Sequence, residues 1–233
     1  MMIRRDGEAH NSGHSAGPAE VHHVAHRIAT VAWLAIALGL TVQILVLAAQ
    51  LAGGATFSGP RFLAAVTQGV SWSVIVCIGI AAGTILMRAS VTFAGVIGFV
   101  CAPVALGVAR GTQRGVSELL GLPAEGITTT LVAVAALKAL QYGFLGFMLA
   151  RLVQHGTERL RPYVVLGVAT AATFGGVIVV VTAMIARSAG TPVTTSGLAG
   201  LMVNELVFPL GCVLVVFTVQ TVARLQPRPP GGS

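Results

Sequence analysis

Thr128 to Arg151 reads TTTLVAVAALKALQYGFLGFMLAR, and the reading of this stretch decides the fold. Between its terminal threonines and Arg151 it is apolar but for Lys138 and Gln141. At a rise of ~1.5 Å per residue it crosses the ~30 Å hydrocarbon of a bilayer as one helix. Lys138 lies about ten residues inside it, and it is the only lysine of the 233 residues. The thirteen arginines fall instead in the tails and at the ends of apolar runs. An ammonium in mid-membrane requires a counter-charge or a water-filled cavity. Working outward, the only acidic residue inside any other apolar run is Glu205, and a Lys138/Glu205 polar centre is the expectation.

Composition agrees with a membrane chain. Hydrophobic residues make up 55% and charged residues 9%, against about 25% charged in a soluble domain. Apolar runs follow one another with short polar joints, leaving no room for a separate soluble domain. The net charge of +7 is carried by scattered arginines with no basic, aromatic-interleaved cluster, so anionic lipid headgroups rather than nucleic acid are the expected counter-charge.

Six runs reach spanning length: 28–51, 62–87, 91–109, 128–150, 163–186 and 197–223. They lack the two-residue alternation of barrel strands, so they are predicted to be helices. The fold expected is an all-α integral membrane protein of six transmembrane helices, with a 27–224 membrane domain. Residues 1–26 form a polar, histidine-containing tail and residues 225–233 a proline-rich one, both expected to be disordered. The joint RGTQRGVSELLGLPAEGI, 110–127, carries Val116, Leu119 and Leu120 at helical spacing and is predicted to hold a short interfacial helix.

With the N-terminus inside, seven near-membrane arginines are cytoplasmic (27, 88, 151, 159, 161, 224, 228) and four are external (61, 110, 114, 187). The positive-inside rule then places both termini in the cytoplasm. The arginine, alanine, valine and glycine bias suggests a bacterial inner membrane. The first run exceeds a signal-peptide core and is expected to remain as an anchor.

The two halves share a pattern. GFVCAPVALG in the third run and ELVFPLGCVLVV in the sixth each place a proline, Pro103 and Pro209, near a cysteine and a glycine. Three spans per half would set the halves in opposite orientation, as in two three-helix inverted repeats. Each proline removes a helix hydrogen bond and is expected to kink its helix.

Depth counting gathers a polar layer. Lys138 lies ~15 Å and Glu205 ~12 Å below the outer starts of their helices, so the two can meet. Gln43 and the Ser71, Trp72, Ser73 triplet fall at similar depth. Gln141 is one turn from Lys138, and Asn204 adjoins Glu205. Gly79 with Gly83, and Gly175 with Gly176, read as close helix packing.

Other chemistries find little footing. No histidine lies inside a run, which leaves no bis-histidine haem site, and there is no phosphate loop, HExxH or carboxylate pair for an embedded hydrolase. Five of the six histidines (10, 14, 22, 23, 26) sit in the tail, where there is no cysteine and no carboxylate spaced to complete a tetrahedral metal set with them. No cofactor, metal or enzymatic activity is expected. Two functions stand open. One is a small transporter or channel in which Lys138 and Glu205 are the coupling or gating charges and Gln43, Gln141 and Asn204 line the path. The other is a non-catalytic accessory or assembly subunit whose pair is structural. Partners are the lipid bilayer and either further copies or other membrane subunits.

Overall fold

The computed structural model describes residues 18–86, 90–123 and 129–225, and side-chain surroundings from Ala25 onward. The described residues are helices and short connections, without a strand. Helix α1 spans Pro18–Ala52, and α2 spans Gly59–Ala81 and widens into a π turn at Ala82–Leu86. Next come α3 (Val91–Leu119) and α4 (Thr129–Gln154). The fifth span is α5 (Leu160–Thr170), a second π turn at Ala171–Gly175, and α6 (Gly176–Ser188); α7 (Thr195–Leu225) is the sixth. These make six helices long and apolar enough to cross a membrane.

Helix ends follow local chemistry. The Ser90 hydroxyl accepts the Phe93 N–H at the start of α3, and the Thr194 hydroxyl accepts the Gly197 N–H at the start of α7, each satisfying an orphan donor of a first turn. Gly121 and Gly156, at φ +66° and +64°, close α3 and α4 in the left-handed conformation that a side chain disfavours.

Most boundaries fall within a few residues of the sequence expectation, and two lie well outside it. α1 starts at Pro18, so the last nine residues of the expected tail are helical. Proline suits a first turn, and the turns added there extend a helix already nucleated by the span. His10 and His14 lie outside the described residues, and His26 is exposed. The expected interfacial helix is instead a continuation of α3, which runs unbroken to Leu119 because no stop signal intervenes before Gly121. Leu119, at its end, is 88% exposed.

The spans close into a ring. α1 packs on α2, α2 on α3, α3 on α4, α4 on the fifth span, the fifth span on α7, and α7 back on α1, with α2 also touching α7 across the middle. Half of the most apolar window of α7 is buried, against a third or less in the other spans, so α7 is the most enclosed helix of the ring. Around the outside Ile44, Leu63, Val96, Val104, Val132, Val168, Val180 and Met184 are exposed, an apolar girdle that requires lipid. An up-and-down ring gives this pairing whether or not its halves are related.

Small residues set the spacing of the seams. Gly79 of α2 and Gly83 of the π turn that follows it lie against Cys101 and Ala94 of α3, where an added methyl carbon would come within 2.7 Å of the Cys101 Sγ and 3.2 Å of the Ala94 Cα. Gly175 packs on α7, whereas Gly176 has nothing within 4 Å. The tightest glycine seam joins α3 and α4 through Gly95, Gly98, Gly143 and Gly146.

Candidate functional site

α4 carries Lys138, Tyr142, Leu145 and Leu149 at helical spacing, and all four are buried. This face looks into the ring. α7 does not pack on α4 along its length; it faces α4 across the interior and offers Glu205, Phe208 and Cys212 on one stripe, all buried. α2 contributes Trp72, Val76 and Cys77, also buried. Three helices thus supply the walls of the site.

The long side chains of Lys138 and Glu205 bridge the gap. Nζ donates to both carboxylate oxygens, at 2.9 Å to Oε1 and 2.8 Å to Oε2. The lysine is 6% and the glutamate 2% exposed, so each is the counter-charge that makes the other tolerable in low dielectric. Asn204 steadies the carboxylate by donating from Nδ2 to Oε1 at 3.1 Å.

Aromatic rings form the rest of the enclosure. The Lys138 ammonium lies 5.1 Å from the Trp72 ring centroid and 5.9 Å from that of Tyr142, within the range of cation–π attraction. Trp72, Tyr142 and Phe208 pack mutually, with centroids 5.6 to 6.2 Å apart. Below them the Sγ atoms of Cys77 and Cys212 approach to 3.6 Å across the α2–α7 contact.

Polar capacity remains in this core. Gln141 is fully buried, and neither its amide nitrogen nor its amide oxygen has a protein partner. The buried Tyr142 hydroxyl has the Trp72 indole beside it but makes no hydrogen bond of good geometry. Such groups cost ~1–3 kcal/mol each when left unsatisfied, and they cluster on the two residues three and four positions after Lys138.

A local irregularity in the backbone stands next to the carboxylate. Pro209 has no N–H, so the carbonyl of Glu205, four residues earlier, loses its helical donor. The fifth span brings Gly175, the last residue of its π turn, onto that carbonyl, so closely that an added methyl carbon would lie 2.7 Å from the oxygen. π turns recur at functional sites. Neither proline breaks its helix: α3 runs through Pro103 and α7 through Pro209.

The residues singled out from the sequence separate into two groups. Lys138, Glu205 and Asn204 converge on the centre, and Gln141 lies buried one turn along α4 from Lys138. Gln43 belongs to a different seam, half-buried on α1 with its amide laid against Gly69 of α2. Ser71 and Ser73 also turn away, to Thr112 of α3 and to the Ala35 carbonyl of α1. Sequence reasoning passed over Tyr142 and Phe208, although each follows a charged residue by four or three positions and so shares its helix face. The Cys77–Cys212 approach had no sequence signal at all. No described group of three or more histidine, cysteine or acidic residues is placed to hold a metal. No family model, curated protein or solved structure matches the chain.

Proposed function

We propose that this membrane protein is a small transporter or channel rather than an enzyme, with Lys138 and Glu205 as its coupling charges and Asn204 and Gln141 as polar neighbours. The observation that carries the reading is the isolated ion pair at the centre of the ring, with an unpartnered amide and a hydroxyl lacking a hydrogen bond of good geometry one turn along α4. Intramembrane ionisable groups mark substrate and ion paths far more often than chance. The helix-breaking features beside it, Pro209 and the Gly175 π turn, supply backbone that can rearrange. The arginine asymmetry supports both termini being cytoplasmic, and the arginine, alanine, valine and glycine bias supports a bacterial inner membrane; reporters at residue 120 and at the C-terminus landing on one side would reject that topology.

A second reading, an accessory or assembly subunit, is favoured by one feature: both carboxylate oxygens of Glu205 are engaged by Lys138, as a purely register-fixing pair would have them. The double variant Lys138→Met with Glu205→Leu separates the two. Replacing both charges by apolar groups of similar size removes the desolvation cost with the pair, so the fold is retained. Under the transport reading, ion or solute flux in proteoliposomes is lost. Wild-type flux from the folded double variant would reject the coupling role.

A further inference from the structure

The Lys138 ammonium occupies a cage whose components are those that recognise a free cation. A carboxylate takes two of its three N–H donors, and the faces of Trp72 and Tyr142 take its remaining positive surface. Asn204 orients the carboxylate from outside. The carboxylate and the Trp72 ring come from α7 and α2, not from the helix that carries the lysine. They would stand in place whether the cation were tethered or free.

Charge balance then limits what can exchange. One acid faces one base inside the ring, and the other titratable groups gathered about them are Tyr142 on α4, Cys77 on α2 and Cys212 on α7. A second monocation beside a charged Lys138 would leave a buried net charge of +1, which low dielectric opposes. The enclosure accepts a free cation when the lysine gives up its proton: R–NH3+ becomes R–NH2 and H+, the proton leaves to water, and the entering cation takes the carboxylate. The buried charge is zero before and after. The displaced amine becomes an acceptor as well as a donor. One turn along α4 the unpartnered Gln141 amide and the Tyr142 hydroxyl, both at least nine-tenths buried, offer new partners to the amine or to the guest.

We propose that Glu205, Trp72 and Tyr142 form a site for a small monovalent cation of the ammonium type, held in this structure by the tethered ammonium of Lys138, with one cation exchanging for one proton. The aromatic walls favour an alkylammonium over sodium, because its N–CH3 surface gains from a ring face while the more strongly hydrated sodium ion loses more in shedding water. A guest has to match the tethered ammonium whose contacts it takes over, so a cation about as large as the lysine terminus, such as methylammonium, is the natural probe. This inference rests on the transport reading for its physiological use, but the site itself is tested by binding alone.

The test is chemical rescue. In Lys138→Ala, titration with methylammonium chloride at constant ionic strength is expected to raise the Tm of the detergent-solubilised protein saturably, while sodium chloride does not. The effect should vanish in Lys138→Ala with Glu205→Gln, and about tenfold more methylammonium should be needed in Lys138→Ala with Trp72→Leu. If Lys138→Ala does not fold, the otherwise native Trp33→Phe protein serves. Trp33 is 72% exposed, and its removal leaves Trp72 as the sole tryptophan reporter. Methylammonium should then change Trp72 fluorescence, with an apparent affinity rising up to tenfold per pH unit as one proton is released per cation bound. Equal rescue by sodium, no rescue of a folded Lys138→Ala protein, or a pH-independent response would overturn the proposal. Rescue without flux in the wild type would keep the site and reject transport, whereas flux of some other solute without rescue would keep transport and reject the site.

Discussion

α4 meets α3 on one side and faces α7 on another, and the two meetings are opposite in kind. Toward α3, Gly143 and Gly146 interleave with Gly95 and Gly98, and backbones come nearly into contact: a methyl on Gly146 would stand 2.8 Å from the Ala94 carbonyl oxygen, and one on Gly98 would run into that of Tyr142. Toward α7 the backbones stay apart, and the space is filled by Lys138, Glu205 and three aromatic rings. In lipid, where apolar burial gives helices little reason to associate, close approach through small residues supplies dispersion and weak Cα–H···O contacts. That seam is rigid because nothing in it can rotate away. The other contact depends on long side chains with rotatable bonds and can change its content without moving a helix. A single helix therefore anchors the ring with one face and exposes the chemistry with the next.

The largest effect is expected where the side-chain contact is cut on one side only. Glu205→Gln strands the Lys138 ammonium in the interior and should cost about 3–5 kcal/mol in unfolding by detergent titration; a loss under ~1 kcal/mol would mean that water already reaches the pair.

Next comes the backbone seam. Gly98→Ala must push α3 from α4 by the room a methyl needs against a carbonyl, with a cost of about 1–3 kcal/mol. Flux or cation binding at Glu205 should change less than stability, since the seam and the site use different faces. An equal collapse of binding at conditions where the variant stays folded would show that the two faces are not independent.

The smallest change is at Gly176, which has open space around it and an ordinary helical backbone. Gly176→Ala should stabilise by about 0.5–1 kcal/mol through helix propensity. Its neighbour Gly175, whose added methyl carbon would lie 2.7 Å from the Glu205 carbonyl, should show the reverse sign under the same substitution. A stabilising Gly175→Ala would mean that the fifth span does not press on the carbonyl that Pro209 leaves without a donor.

Much of the architecture was legible in the residues because a bilayer leaves few choices. Run length fixes the number of spans, and only internally hydrogen-bonded helices satisfy the backbone of such runs in hydrocarbon. The pairing of Lys138 with Glu205 could be anticipated by elimination and depth, since a lone lysine and a lone acid at matching levels have no other counter-charge. The ends of elements were less legible. α3 extends through Arg110, Gly111, Arg114 and Gly115 to Leu119, because a helix already nucleated continues through polar residues until a left-handed glycine stops it.

What the sequence determined by itself is the set of helices and the depth at which each polar residue lies, both one-dimensional quantities given by rise per residue. Only the tertiary structure decided azimuth and neighbourhood. It put Gln43 on the α1–α2 seam rather than at the pair, brought Cys77 to Cys212, chose Gly98 and Gly143 as the tight seam, and enclosed Lys138 between Trp72 and Tyr142. Rotation of a uniformly apolar helix about its own axis leaves its hydropathy unchanged, so the facing of each span is set by the shapes and charges of the helices around it.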